Sequence, residues 1–292
     1  MGFKIFADAS IDIDKKVFMD NDISIVPMNY TLGDEDRVCE KLEDDDILMA
    51  FYNGQKNGDV TQTSQITPHV YMELFEPYLK EGTDVIYISL SSGLTKTFDN
   101  VNLAKEELEE TYKDAHIYPV DSLQASGGMG LITEIAIKQR SEGRSAREVA
   151  DYLNSINLNT VMEFMVDDLN YLKRGGRLKA SEAFFGTMLG VKPIIFLGND
   201  GTLRTIDKKR GEKQALHALL DHVTWLRDAA MPARVFITHG NCLERAKNFK
   251  AMLLEADPSL EVSIRMISPI IGAHTGPGSM MVAYWGDRTK VQ

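Results

Sequence analysis

The chain has 292 residues, and 32 Lys and Arg stand against 43 Asp and Glu, a net charge of −11. That balance repels phosphate backbones and anionic bilayers, so nucleic-acid binding and electrostatic attachment to a membrane are set aside. With 43% hydrophobic and 26% charged residues the chain reads as a soluble globular protein, long enough for two cores rather than one.

No signal-peptide segment and no apolar run of bilayer length appears, and the two cysteines, Cys39 and Cys242, have neither metal spacing nor a partner motif. Reduced thiols and a cytoplasmic location are expected. Residues 3–7 open with a short strand that ends in the polar loop Asp8-Ala-Ser-Ile-Asp12, and residues 24–32 give a second strand. The eight carboxylates between 34 and 46 have no fixed spacing, so a solvated face is the better reading than a metal site. A helix over 46–55 follows. Then comes the hydroxyl-rich stretch 61–67, with Thr67 as N-cap and Pro68 opening a helix to Lys80.

Residues 84–90 (DVIYISL) form a continuous apolar run, the mark of a strand buried on both faces. Ser91-Ser92-Gly93 follows at once. The next helix sets Phe98, Val101, Ala104, Leu108 and Tyr112 on one face. A strand over 116–120 and the glycine-rich 126–130 then lead into a helix over 131–140. Strand, polar loop and helix in repeated order predict an open parallel α/β sheet, with ligands beyond the strand carboxyl ends.

Ser145 and Glu148 make a capping box for a helix over 145–158. The pattern then changes. A strand over 161–166, a short helix over 167–174, a break at 175–178 and a helix over 180–189 precede a hairpin turning at 199–201. Lys208-Lys209-Arg210 leads to a long helix ending near Ala229. Strands over 234–239, 261–267 and 280–285, with a helix over 243–255, complete a mixed sheet. The expected architecture is α/β in two domains, residues 1–159 with an open parallel sheet and 160–292 with a mixed one, and a ligand between them.

Four places could hold chemistry. Ser91, Ser92 and Gly93 join a strand end to a helix start, where free N–H groups and hydroxyls suit an anion; simple capping would need only one serine. Thr61 to Gln65 is a second hydroxyl-rich loop. Arg177 follows a Gly-Gly break and could present its fork to a carboxylate or phosphate, or remain a solvated turn. Ser268 to Gly278 is read as a loop, because three glycines and two prolines fix an irregular path that holds His274 and Thr275 between two strands. No Walker A, dinucleotide fingerprint or Gly-x-Ser-x-Gly elbow is present, and Gly127, Gly128 and Gly130 suit close helix packing. The fourteen methionines read as core before pocket.

Taken together, residues 8–13 (DASIDI), 63–65 (TSQ), 91–97 (SSGLTKT), 121–122 (DS), 168–178 (DLNYLKRGGRL), 191–194 (VKPI), 209–211 (KRG) and 272–278 (GAHTGPG) resemble the DegV family of FakB-type bacterial fatty-acid-binding proteins. The chain departs from the usual family residues at Ala9, at Ile66 and at Thr95-Lys96. The resemblance implies a long-chain fatty acid buried between the domains, with no metal and no cofactor besides that ligand. It implies a carboxylate site at Thr63 and Ser92, with Ser91, Gly93, His274 and Thr275 beside it, and assistance to phosphoryl transfer by Arg177 and His274. The partner it implies is a separate ATP-dependent fatty acid kinase, which makes an acyl-phosphate for phospholipid synthesis. Lys208, Lys209 and Arg210 are the expected docking cations. Two other readings stand beside this one: a hydrolase or acyltransferase using Ser92 with His274, and a scaffold whose lipid is only structural.

Overall fold

A computed structural model describes residues 2–178 and 190–291; the helix expected over 180–189 lies outside the described residues. The first half begins with β1 (Lys4–Asp8), α1 (Lys15–Asp20) and β2 (Ile23–Val26), then β3 (Met28–Leu32) and β4 (Glu35–Cys39). One strand was expected over 24–32. Pro27, which lacks an N–H, divides it, so β2 joins a parallel sheet while β3 turns away into a small antiparallel one. There follow α2 (Asp45–Lys56), β5 (Thr61–Thr63), α3 (Pro68–Lys80), β6 (Val85–Ser89), α4 (Thr97–Thr111), β7 (Ile117–Asp121), α5 (Ser126–Ser141) and α6 (Ala146–Ile156).

The parallel sheet runs β2-β1-β6-β7, and β1 and β6 are buried along their whole length. Helices cover both faces, α3 and α4 on one and α5 and α6 on the other, which is why these strands read as unbroken apolar runs. Chain order reverses between β1 and β6, so their carboxyl ends border the crevice where such sheets take ligands. The predicted capping box is made: Ser145 Oγ accepts from the Glu148 amide at 3.3 Å, and Glu148 accepts from the Ser145 amide at 2.9 Å.

The second half holds β8 (Thr160–Met165), α7 (Asn170–Arg174), β9 (Val191–Leu197), β10 (Leu203–Arg210), α8 (Glu212–Leu226), β11 (Arg234–His239), α9 (Leu243–Ala256), β12 (Glu261–Met266), α10 (Pro269–Thr275) and β13 (Met280–Trp285). Its six strands run β10-β9-β8-β13-β11-β12, and only β11 and β12 pair in parallel, a mixed sheet as expected. Side chains alternate along each strand. Met162 and Phe164 face the core shared with the parallel sheet, while Val161 and Met165 face a second core under α8 and α9. Helix α5 is the filling between the two sheets, touching β6 on one side and β8, β11 and β13 on the other. Its glycines lie inside the helix rather than ahead of it. A Cβ on Gly127 would stand 2.7 Å from Phe236 Cβ, so the close approach requires the glycine.

The stretch 268–278, expected as loop, is α10 followed by a tight turn. Pro269 sits at the first helical position, where its missing N–H costs nothing. Only Gly276 and Gly278, at φ 71° and 77°, take the left-handed path.

Candidate ligand-binding site

A narrow cavity opens between the two sheets, near the carboxyl end of β6. Its apolar wall includes Met28, Leu90, Met162, Phe164, Leu203 and Met281. Its polar end gathers Thr63, Gln65, Thr95, Arg177, His274 and Thr275. The cavity measures about 50 Å³, well below the roughly 300–1,000 Å³ of a typical ligand pocket. Its walls include three methionines and four leucines, side chains that change rotamer readily.

His274 stands in the last turn of α10, and its Nε2 meets Thr63 Oγ1 at 2.8 Å. Pairing of β5 with β3, Thr63 opposite Tyr30, fixes that threonine from the first half of the chain. The other ring nitrogen, Nδ1, is buried with no hydrogen-bond partner among the described residues. Gly175 lies against it: a Cβ at that position would fall 2.1 Å from Nδ1. The first glycine of the Gly-Gly-Arg motif is thus demanded by contact, and the second, Gly176, by its φ of 71°. Burial, then the charges of Arg177 and Arg174, pull the imidazole down to about 4, so at neutral pH it is an uncharged ring.

Arg177 is half-buried and has no carboxylate within ion-pair distance among the described residues. Its Nε donates to Leu94 O at 3.2 Å and its Nη1 to Gly175 O at 2.5 Å. Burial alone lowers its pKa. A guanidinium held partly out of water without a counter-charge is a receptor for an anion.

The other expected residues divide. Thr275 lines the cavity, but its hydroxyl is turned back, donating to Ile271 O and accepting from Ser279 Oγ, each at 3.2 Å. Ser91, Ser92 and Gly93 are not brought to the cavity wall. Ser91 Oγ donates to Gly201 O at 2.9 Å, the Ser92 amide donates to Asp121 Oδ1 at 3.2 Å, and Gly93 packs so tightly on Gly201 that a Cβ would fall 2.4 Å from its carbonyl carbon. Ser91 and Gly93 fasten the β9–β10 turn to the parallel sheet, and Ser92 ties the same segment to the end of β7. The chain turns there, Leu94 N bonding Ser91 O at 3.0 Å, and delivers Leu94 and Thr95 to the cavity instead. Thr95 is not among the site residues expected from the sequence, although it is the next hydroxyl of the same Ser-Ser-Gly-Leu-Thr run. Lys208, Lys209 and Arg210 belong to β10, the outer strand of the six-stranded sheet, where Lys209 pairs with Asp207 at 2.7 Å.

A family model described as "uncharacterised protein, DegV family" matches residues 2–286. The chain belongs to the DegV family. A DegV domain-containing protein of Clostridium perfringens is 32% identical over 285 residues, 98% of each chain. DegV proteins of solved structure resemble it throughout. The fold matches that of DegV from Bacillus subtilis, a fatty acid binding protein, with a TM-score of 0.81 and 26% identity over 98% of this chain and 99% of that one. A DegV lipid binding protein from Thermotoga maritima gives 0.80 and 26%, over 97% and 98%. Among the described residues no helix is long and apolar enough to cross a membrane, and no cluster of three or more His, Cys, Asp or Glu could hold a metal ion.

Proposed function

We propose that this DegV protein is a carrier that binds a long-chain fatty acid between its two sheets and presents the carboxylate to a separate ATP-dependent kinase. The observation that bears the weight is Arg177, a half-buried guanidinium without a carboxylate partner among the described residues, at the polar end of an otherwise apolar cleft. Thr63, Thr95 and the neutral His274 add donors that a carboxylate needs once it leaves water. The names of the Bacillus subtilis and Thermotoga maritima proteins point the same way. Each buried methylene contributes about 0.8 kcal/mol, so a long chain outweighs the cost of moving the methionines and leucines that narrow the cleft.

Presentation, rather than storage, is favoured by the end at which the polar groups sit. Arg177 and the imidazole of His274 flank the place where negative charge would grow during phosphoryl transfer. The hydrolase reading asks for Ser92 beside His274; here His274 Nε2 is bonded to Thr63, and the Ser92 amide to Asp121. In the decisive experiment, stripped protein is offered fatty acids of several lengths, followed by native mass spectrometry and kinase-dependent ATP turnover. One equivalent bound by wild type, and turnover lost in Arg177→Ala even at acid concentrations that restore full occupancy, is the expected result. Stripped protein that takes up no fatty acid overturns the carrier reading, and wild-type turnover in Arg177→Ala overturns the presenting role.

A further inference from the structure

Asp12 lies in the loop between β1 and α1, buried at 5% exposure. Its Oδ1 accepts from the amide of Ser268, the residue that opens α10, at 2.8 Å. Its Oδ2 accepts from the hydroxyl of Ser126 at 2.6 Å. The Ser126 hydroxyl also meets Thr238 Oγ1 of β11 at 2.8 Å, and its amide donates to Ser10 O at 3.0 Å. Ser126 stands at φ 51°, a left-handed conformation that is unfavourable for a residue with a side chain. Such outliers persist where the surroundings over-determine them. Meanwhile Ser268 makes no cap of its own: its buried Oγ has no partner among the described residues. One carboxylate from the parallel sheet therefore fixes where α10 begins.

Seven residues make up α10, about two turns, so a shift at Ser268 is carried to His274 near the other end. We propose that Asp12 is a positioning residue for His274, holding from the opposite half of the molecule the start of the helix that presents the imidazole to Thr63 and Arg177. It acts through α10 and touches no ligand. The inference rests on the role proposed above for His274.

Burial pushes the Asp12 carboxyl up to about 7, against the opposing bonds from Ser126 and Ser268. The ionised form accepts both bonds; the protonated form gives up part of that capacity, so the hold on α10 slackens as pH falls through neutrality. Among the groups facing Asp12, the charge of Arg265 partly offsets the effect of burial, and the net direction stays upward. Arg265 of β12 and Lys41 are cations beside it, and Glu43 shares the same small recess. Burial keeps Cys39 of β4 and Tyr52 of α2 protonated.

The test is ring-nitrogen NMR of histidine-labelled, ligand-free full chain, with His274 assigned by His274→Gln. His274 itself stays neutral until pH about 4, yet its resonances should step near neutral pH as Asp12 ionises. That step should vanish in Asp12→Asn. It should move to higher pH in Ser126→Gly, which removes a bond that favours the charged carboxylate and suits the left-handed backbone. A flat His274 signal across neutral pH, or a step that survives Asp12→Asn, overturns the proposal. Should Asp12→Asn fail to fold, an unmoved step in Ser126→Gly overturns it alone. Fatty-acid uptake is measured separately: a step without uptake removes the carrier reading and leaves the positioning, and uptake without a step does the reverse.

Discussion

At the scale of single residues, the contrast between Ser92 and Thr95 is the sharpest. Both hydroxyls belong to one short run after β6, and spacing alone does not say which of them reaches the cavity. The turn at Ser91 to Leu94 decides it, and that turn is held by Gly201, more than a hundred residues away in sequence. Thr95→Val and Thr63→Val should each weaken fatty-acid binding by about 1.5–3 kcal/mol, the usual worth of a hydrogen bond to a charged group. Ser92→Ala should leave affinity unchanged. Competition isotherms with one labelled acid measure all three, and a loss in Ser92→Ala equal to that in Thr95→Val would return the head group to the serine pair. Arg177 and His274, by contrast, both reach the cavity, and the glycines of their motifs draw attention to them in the sequence. Gly176 has a positive φ, and Gly175 touches the imidazole.

Among elements, those with strong local signals appear where the sequence puts them. The apolar run of β6 and the capping box of α6 depend on neighbours within a few residues. The stretch 268–278 does not. Its glycines and prolines read as a loop, yet Gly272 lies inside α10 because a Cβ there would stand 2.5 Å from the Tyr52 hydroxyl oxygen, in a helix of the other half. A glycine placed for tertiary contact is indistinguishable, in sequence, from one placed for a turn. The same argument yields a test at the α7–α10 contact. Gly175→Ala should force the imidazole away from Arg177, since its methyl would fall 2.1 Å from Nδ1. Kinase-dependent turnover should drop while the far-UV spectrum and the fatty-acid stoichiometry hold; unchanged turnover would mean that the exact seat of His274 is irrelevant.

Across the whole molecule, Arg288 joins what the two sheets would otherwise leave apart. Its buried guanidinium donates to Asn157 O, Thr160 O, Thr160 Oγ1, Leu123 O and Gly198 O, at 2.7 to 3.2 Å, and no carboxylate lies within ion-pair distance among the described residues. Those acceptors come from the loop after β7, the link between the halves and the β9–β10 turn. Burial lowers the guanidinium to about 10, still charged at neutral pH. Arg288→Met should be destabilising, because Leu123 O is left without a donor at a cost of about 1–3 kcal/mol, while Asn157 O, Thr160 O and Gly198 O each lose one of two donors. Denaturant titration measures the loss, and a variant as stable as wild type would show that water replaces the guanidinium without penalty. Nothing in the sequence marked this arginine, since its partners are backbone carbonyls with no side-chain signature.

The position of β13 has a consequence in time as well as in space. It is the last strand in sequence, yet it lies in the middle of the six-stranded sheet, and β8 and β11 meet only through it. While the protein is being made, β8 to β10 and β11 to β12 can therefore form only as two separate pieces, with the inner face of α5 still uncovered. The non-local pairing that completes the sheet is the slow kind. Until β13 docks, the folding chain lacks the complete cleft and has a large apolar face to shield, so its dependence on chaperones should be greatest before that strand is in place.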